Sequence, residues 1–239
     1  MLTQANHWME IVGSAVDALL LCRVLLLRLQ RVYVFITLAC VLSVFFDVVE
    51  LSLRSDSRAG FRVFLCSKFI DAFLFPLVGW DVFEEMKSQI SNLRRLAVRR
   101  LISGLFFASI FGFLVVAFGA PSESGGEPSL LATVGLVLWV GSATATLAFL
   151  WSLDKAIRAQ NLARPNNTFV WLIFWQLALA AEVLSCFSLL LVALSRNSAT
   201  ADIMDLVFAT YGIVITGWCI LRLRAVPSSV PSAPANASL

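Results

Sequence analysis

Histidine is almost missing from this 239-residue chain: His7 is the only one, and it precedes the first apolar run. Bis-histidine haem ligation within the chain is thereby excluded. So are a serine–histidine dyad in the apolar core and a His-Glu-x-x-His zinc site. The five cysteines, Cys22, Cys40, Cys66, Cys186 and Cys219, form no CxxC pair and all lie inside apolar runs. That spacing points to small polarizable core residues, not to a zinc site or a disulfide framework. Charge is scarce as well, at 14% of residues with a net value of +3. No basic stripe is interleaved with aromatics, which excludes nucleic-acid binding. With no phosphate-cradling glycine loop and no Gly-x-Gly-Asp element either, no catalytic, cofactor-binding or metal-ligating residue is assigned, and an enzyme is not expected.

What the chain does have is apolar length. It is 59% hydrophobic with a mean hydropathy of +0.87, against roughly 45–50% apolar for a soluble domain. A bilayer-spanning helix needs about 20 mostly apolar residues. Seven stretches qualify: 9–29, 32–53, 62–84, 101–120, 129–152, 168–194 and 202–222. The fold expected is therefore all-α, a polytopic bundle of seven transmembrane helices forming one membrane domain over 1–224. The Pro/Ser/Ala-rich 225–239 segment is expected to be a disordered cytoplasmic tail. No basic n-region precedes the first run, so it reads as a retained helix and not as a cleaved signal.

Orientation follows from Lys and Arg in the connections. With the N-terminus outside and the C-terminus cytoplasmic, twelve basic residues fall on the inner side and four (Arg54, Arg58, Arg62 and Arg196) on the outer. The basic stretch 88–100, with Arg94, Arg95, Arg99 and Arg100, is a candidate surface for anionic lipid or a cytoplasmic protein partner. Trp8, Trp80, Trp151 and Trp171 fall near the expected interfaces and read as belt anchors. Gly141 and Ala145 have the small-xxx-small spacing of close helix packing. Pro76 is placed to kink the third span.

The ionisable residues inside the spans carry the functional question. Cys40, Ser43, Asp47, Glu50 and Arg54 recur at steps of three and four, forming one polar stripe on the second span. Glu10, Ser14 and Asp17 repeat the pattern on the first. A charge at mid-bilayer costs at least about 2.5–3.5 kcal/mol, so these faces should turn inward. An antiparallel pairing of spans two and three sets Asp47 level with Lys68 and predicts an Asp47–Lys68–Asp71 cluster, with Glu50 nearer the water. Glu182 adds an acid near the midplane. The candidate polar cluster is thus Asp17, Asp47, Glu50, Lys68, Asp71 and Glu182. One reading makes these structural ion pairs that fix helix register. The other makes them the lining of a pocket open to the outside, for a proton, a cation or an amine-bearing ligand.

Seven spans with an outer N-terminus invite comparison with rhodopsins and receptors, but the last span has no lysine for a Schiff base. Asp-Arg-Tyr-like and Asn-Pro-x-x-Tyr elements are missing too. In layout, "LLLRLQRVYVFITLACVLSVFF" and "FRVFLCSKFIDAFLFPLVGWDVFEEM" with the basic stretch after it resemble a class of uncharacterised bacterial seven-span proteins. The shared features are Arg31-Val32-Tyr33 entering the second span and Glu84-Glu85 ending the third. The resemblance implies a multi-pass protein of the bacterial inner membrane and no particular activity. Three functions stay open: a sensor or accessory subunit with an outward acidic cavity, a small cation- or proton-coupled transporter, and a structural subunit without a ligand.

Overall fold

Inside a bilayer no water is available to satisfy backbone N–H and C=O groups, so apolar segments of this length must satisfy them internally as helices. The computed structural model describes residues 2–53, 57–86, 130–162, 165–195 and 198–225, and the regular structure among them is entirely helical. The helices are α1 (Leu2–Leu26), α2 (Val34–Ser52), α3 (Ser57–Met86), α4 (Leu130–Ala159), α5 (Asn166–Ser195) and α6 (Ser198–Arg222). Five of them, α2 to α6, are long and apolar enough to cross a membrane. α1 is as long but is interrupted by Glu10, Asp17 and Arg23. The expected span 101–120, the basic 88–100 stretch with Arg94, Arg95, Arg99 and Arg100, and most of the 225–239 tail lie outside the described residues.

Helix ends depart from the apolar runs because local backbone chemistry, not hydropathy, sets them. α1 stops at Leu26, before the end of its run, where Arg28 adopts a left-handed backbone (φ 56°) and a 3₁₀ turn, Leu29–Arg31, follows. α4 continues past its apolar stretch to Ala159, helped by an Asp154–Arg158 pair one turn apart at 2.7 Å. It ends where Asn161 goes left-handed (φ 48°) and the Leu162 N–H returns to the Ile157 carbonyl at 3.2 Å. That is the αL helix stop, which asparagine tolerates better than most residues.

The helices close into a ring in which each packs on the next in chain order and α6 returns to α1. α1, α3, α4 and α6 run downward from what is termed the upper end, while α2 and α5 run upward. The α3–α4 pair is parallel: Phe69 meets Gly135, Ala72 meets Ser142, and Gly79 meets Thr146 and Phe149. A Cβ on Gly135 would lie 2.6 Å from the Phe69 ring, so only glycine permits this approach. Gly141 and Ala145 are buried in the same helix, so their small-residue spacing serves internal packing.

Pro76 explains a hydrogen bond that joins the two helices. Proline has no N–H, so the carbonyl four residues earlier, on Ala72, loses its intrahelical donor. Ser142 of α4 donates its hydroxyl to that carbonyl, and both residues are buried. The side-chain bond replaces the missing backbone one.

Large apolar side chains cover much of the outer surface. Phe45, Val48, Phe73, Trp151, Val214 and Leu221 all point outward. Trp8, Trp80 and Trp151 are exposed as belt residues would be, but Trp171 is not. It is fully buried, edge-on to Tyr33 with ring centroids 6.1 Å apart, because its face of α5 turns into the ring.

Ser142→Ala should cost about 1–2 kcal/mol by orphaning a buried carbonyl. In a Pro76→Ala background, where the helical N–H returns, the same change should cost less than about 0.5 kcal/mol. Thermal unfolding of the four proteins in detergent measures the coupling, and equal costs in both backgrounds would refute the replacement.

Candidate functional site

The stripes on α1 and α2 face each other across the upper half of the ring. Ser43 of α2 donates to Asp17 of α1 at 3.2 Å, and Asp47 lies beside Ser14, Asp17 and Glu50. Together with α6 they enclose a cavity of about 570 Å³ whose walls include Glu10, Asp17, Asp47 and Glu50. It extends up to Leu53 and Gly60, near the upper helix ends. One carboxylate oxygen of Asp47, Oδ2, is buried there with no hydrogen-bond partner among the described residues.

A second cavity of about 330 Å³ lies beneath and beside the first, between α1, α2, α3, α5 and α6. Asp17, Gly212 and Thr216 border both. Asp71 and Glu182 line the inner one. Lys68 holds these two acids: its Nζ is 3.9 Å from Asp71 and 3.6 Å from Glu182. The same ammonium sits over the buried Trp139 indole, 4.3 Å from the ring centroid, and 5.5 Å from that of Phe64. One cation thereby ties α3, α4 and α5 together through charge and a ring face.

Asp17, Asp47, Glu50, Asp71 and Glu182 line the two cavities and Lys68 contacts two of them, but the grouping differs from the expected one. Lys68 pairs with Asp71 and with Glu182 of α5, whereas Asp47 turns toward α1. The contacts of α2 with α3, Tyr33 to Glu85 and Phe35 to Asp81, set a register that puts Asp47 level with the Phe69–Asp71 stretch. On that level Asp47 faces the stripe of α1, and Lys68 faces α4 and α5.

The lower end carries a second polar group that the residue pattern alone did not reveal. Asp81 of α3 accepts from the Phe35 and Ile36 N–H groups at 2.6 and 2.9 Å, satisfying donors left open at the start of α2. Glu85, one turn on, accepts from the hydroxyls of Tyr33 and Thr168. Tyr33 is fully buried, so its hydroxyl depends on these protein partners. The end of α6 is capped by side chains: Asn167 bonds the Arg224 carbonyl at 2.7 Å and its N–H at 2.9 Å, and Arg23 reaches the Leu223 carbonyl at 3.2 Å. Asp81 and Glu85 share a face at i, i+4 spacing, which is the sequence signal for this site.

Among the described residues no group of three or more His, Cys, Asp or Glu side chains could hold a metal ion. Comparison with family models, with curated proteins and with solved structures finds no match for this chain.

A Lys68→Met, Glu182→Gln double-mutant cycle should show a coupling of about 1–3 kcal/mol in unfolding free energy. A coupling near zero would mean that the pair does not tie α3 to α5.

Proposed function

We propose that the protein is a multi-pass membrane sensor or accessory subunit that takes up a small cationic ligand or a proton through an acidic cavity open at the upper end. The observation that carries this reading is the pair of adjoining cavities bordered by Asp17, Asp47, Glu50, Asp71 and Glu182. Lys68 offsets only part of that charge. Below the cavities, Val24, Leu29, Val78, Val82 and Met86 have no exposed surface. The polar groups at the lower end, Asp81 and Glu85, are engaged by the start of α2 and by Tyr33 and Thr168. With those apolar residues packed among them, the arrangement favours a receptor over the alternative, a cation- or proton-coupled transporter, which needs a continuous polar route. A structural subunit is the third reading, and an excess of acids over bases in the interior speaks against it.

The parallel packing of α3 on α4 supports a seventh span. Met86 ends at the lower side and Leu130 begins at the upper side, which supports one further crossing between them. Residues 101–120 are free of ionisable side chains and are the segment for that crossing. With α1 counted as a span despite its charges, the bundle has seven, with the upper end and N-terminus outside and the C-terminus cytoplasmic. The resemblance in layout supports a bacterial inner membrane as its location. Arg94, Arg95, Arg99 and Arg100 then face the cytoplasm, where they suit anionic lipid or a protein partner.

A reporter fused after residue 225 should read cytoplasmic, and one inserted within 119–129 should read external; both on one side would remove the seventh span. In sealed vesicles the protein should not speed dissipation of a proton or tetramethylammonium gradient. A faster flux that Asp17→Asn and Glu182→Gln abolish would replace the sensor with the transporter. Changing the four arginines to Gln should release a cytoplasmic partner from a folded bundle, and retained partner binding counts against that surface.

A further inference from the structure

The inner cavity differs from the outer one in kind. Its wall includes Phe75, Phe174, Trp175, Phe208 and Tyr211, five aromatic side chains from α3, α5 and α6. Phe75 and Phe174 each stand edge-on to Trp175, with centroids 6.4 and 5.4 Å apart, and Tyr211 is held by a 3.3 Å bond to the Leu177 carbonyl. The wall is therefore a packed surface and not a set of loose side chains. Asp17, Asp71 and Glu182 border the same space. Of these, Asp71 and Glu182 share the single ammonium of Lys68. Three carboxylates against one lysine leave the chamber formally negative, a charge that a further cation would reduce. The indole nitrogen of Trp175 is buried with no hydrogen-bond partner among the described residues, a donor that a ligand oxygen would satisfy.

A hydrated inorganic cation has no use for aromatic walls, and an uncharged apolar molecule has no use for three carboxylates. The combination of ring faces with carboxylates is what recognises alkylated ammonium ions, whose charge is spread over methyl or methylene groups that contact the rings. A volume of about 330 Å³, at roughly 30 Å³ per water, corresponds to about ten water molecules. That suits an organic cation of modest size and excludes a peptide or a lipid tail.

We propose that the inner chamber is a binding site for a small organic ammonium ion, with Asp71 and Glu182 as its charge partners and the aromatic side chains of α5 and α6 as its wall. The outer cavity with Asp47 and Glu50 is the vestibule, and Asp17 stands where the two spaces join. This rests on the reading of the bundle as a receptor with an accessible acidic cavity, and it goes further by giving the ligand its class.

The test uses the full chain in lipid nanodiscs with choline as the probe and sodium at equal ionic strength as the comparison, read by calorimetry and tryptophan fluorescence. Choline should bind saturably, and sodium should not compete at equal concentration. Phe208→Leu combined with Trp175→Leu should weaken choline at least about tenfold, as should Glu182→Gln, while the conservative Phe208→Tyr retains binding and controls for folding. Glu10→Gln, in the vestibule, should leave the affinity within about twofold. If choline and sodium bind alike and the aromatic replacements change nothing, the ammonium site is overturned while the cationic cavity stands. If no cation or proton uptake is detected at all, both are overturned.

Discussion

Removing water from around a helix leaves each unpaired carbonyl and each carboxylate dependent on a partner supplied by the protein. The rest of this structure follows from that constraint. Pro76 removes one N–H, and the freed Ala72 carbonyl is met by Ser142 from the neighbouring helix. The open donors at the start of α2 are met by Asp81, and the open acceptors at the end of α6 by Asn166, Asn167 and Arg23. Each repair comes from another helix, so satisfying the backbone also decides which helices touch and at what register.

The same constraint sorts the side chains. Acids on α1, α2, α3 and α5 cannot face hydrocarbon, and the closed ring gives them a common interior. The lower half of that interior fills with Val24, Tyr33, Val78, Val82, Met86 and Trp171, all without exposed surface. The upper half stays open as two cavities. Lys68 stands at the wall between α3, α4 and α5, where its charge is shared by two carboxylates and a ring face. A bundle held together this way has a closely packed base and two cavities above it.

Much of this was legible in the residues. Apolar length located the five helices suited to crossing a membrane, and steps of three and four identified the inward stripes on α1 and α2. The hairpin around 54–61 set the α2–α3 register to within about one turn. Other features depended on information that no single helix contains. Glu182 meets Lys68 only because the ring brings α5 opposite α3, and nothing in either segment specifies that closure. Trp171 looked like an interface residue from its distance to the helix start, but its neighbours Thr168 and Phe174 turn that face inward. Helix ends were misjudged where Arg28 and Asn161 take left-handed backbones, since apolar content says nothing about such stops. Asp81 and Glu85 were not singled out as a pair, because their partners, the start of α2 and Thr168, come from elsewhere in the chain.

The claim on which the account turns is that the acid-bearing faces border water inside the bundle while the apolar faces meet lipid. Thiol labelling tests it directly, because a thiol reacts with a charged, membrane-impermeant reagent only where water reaches it. In a background with the native cysteines replaced, Ser14→Cys, in the wall of the outer cavity, should be labelled from the upper side. Val48→Cys, on the outward face of α2 and 56% exposed, should not be. Labelling of Val48→Cys with protection of Ser14→Cys would turn the bundle inside out and contradict the account.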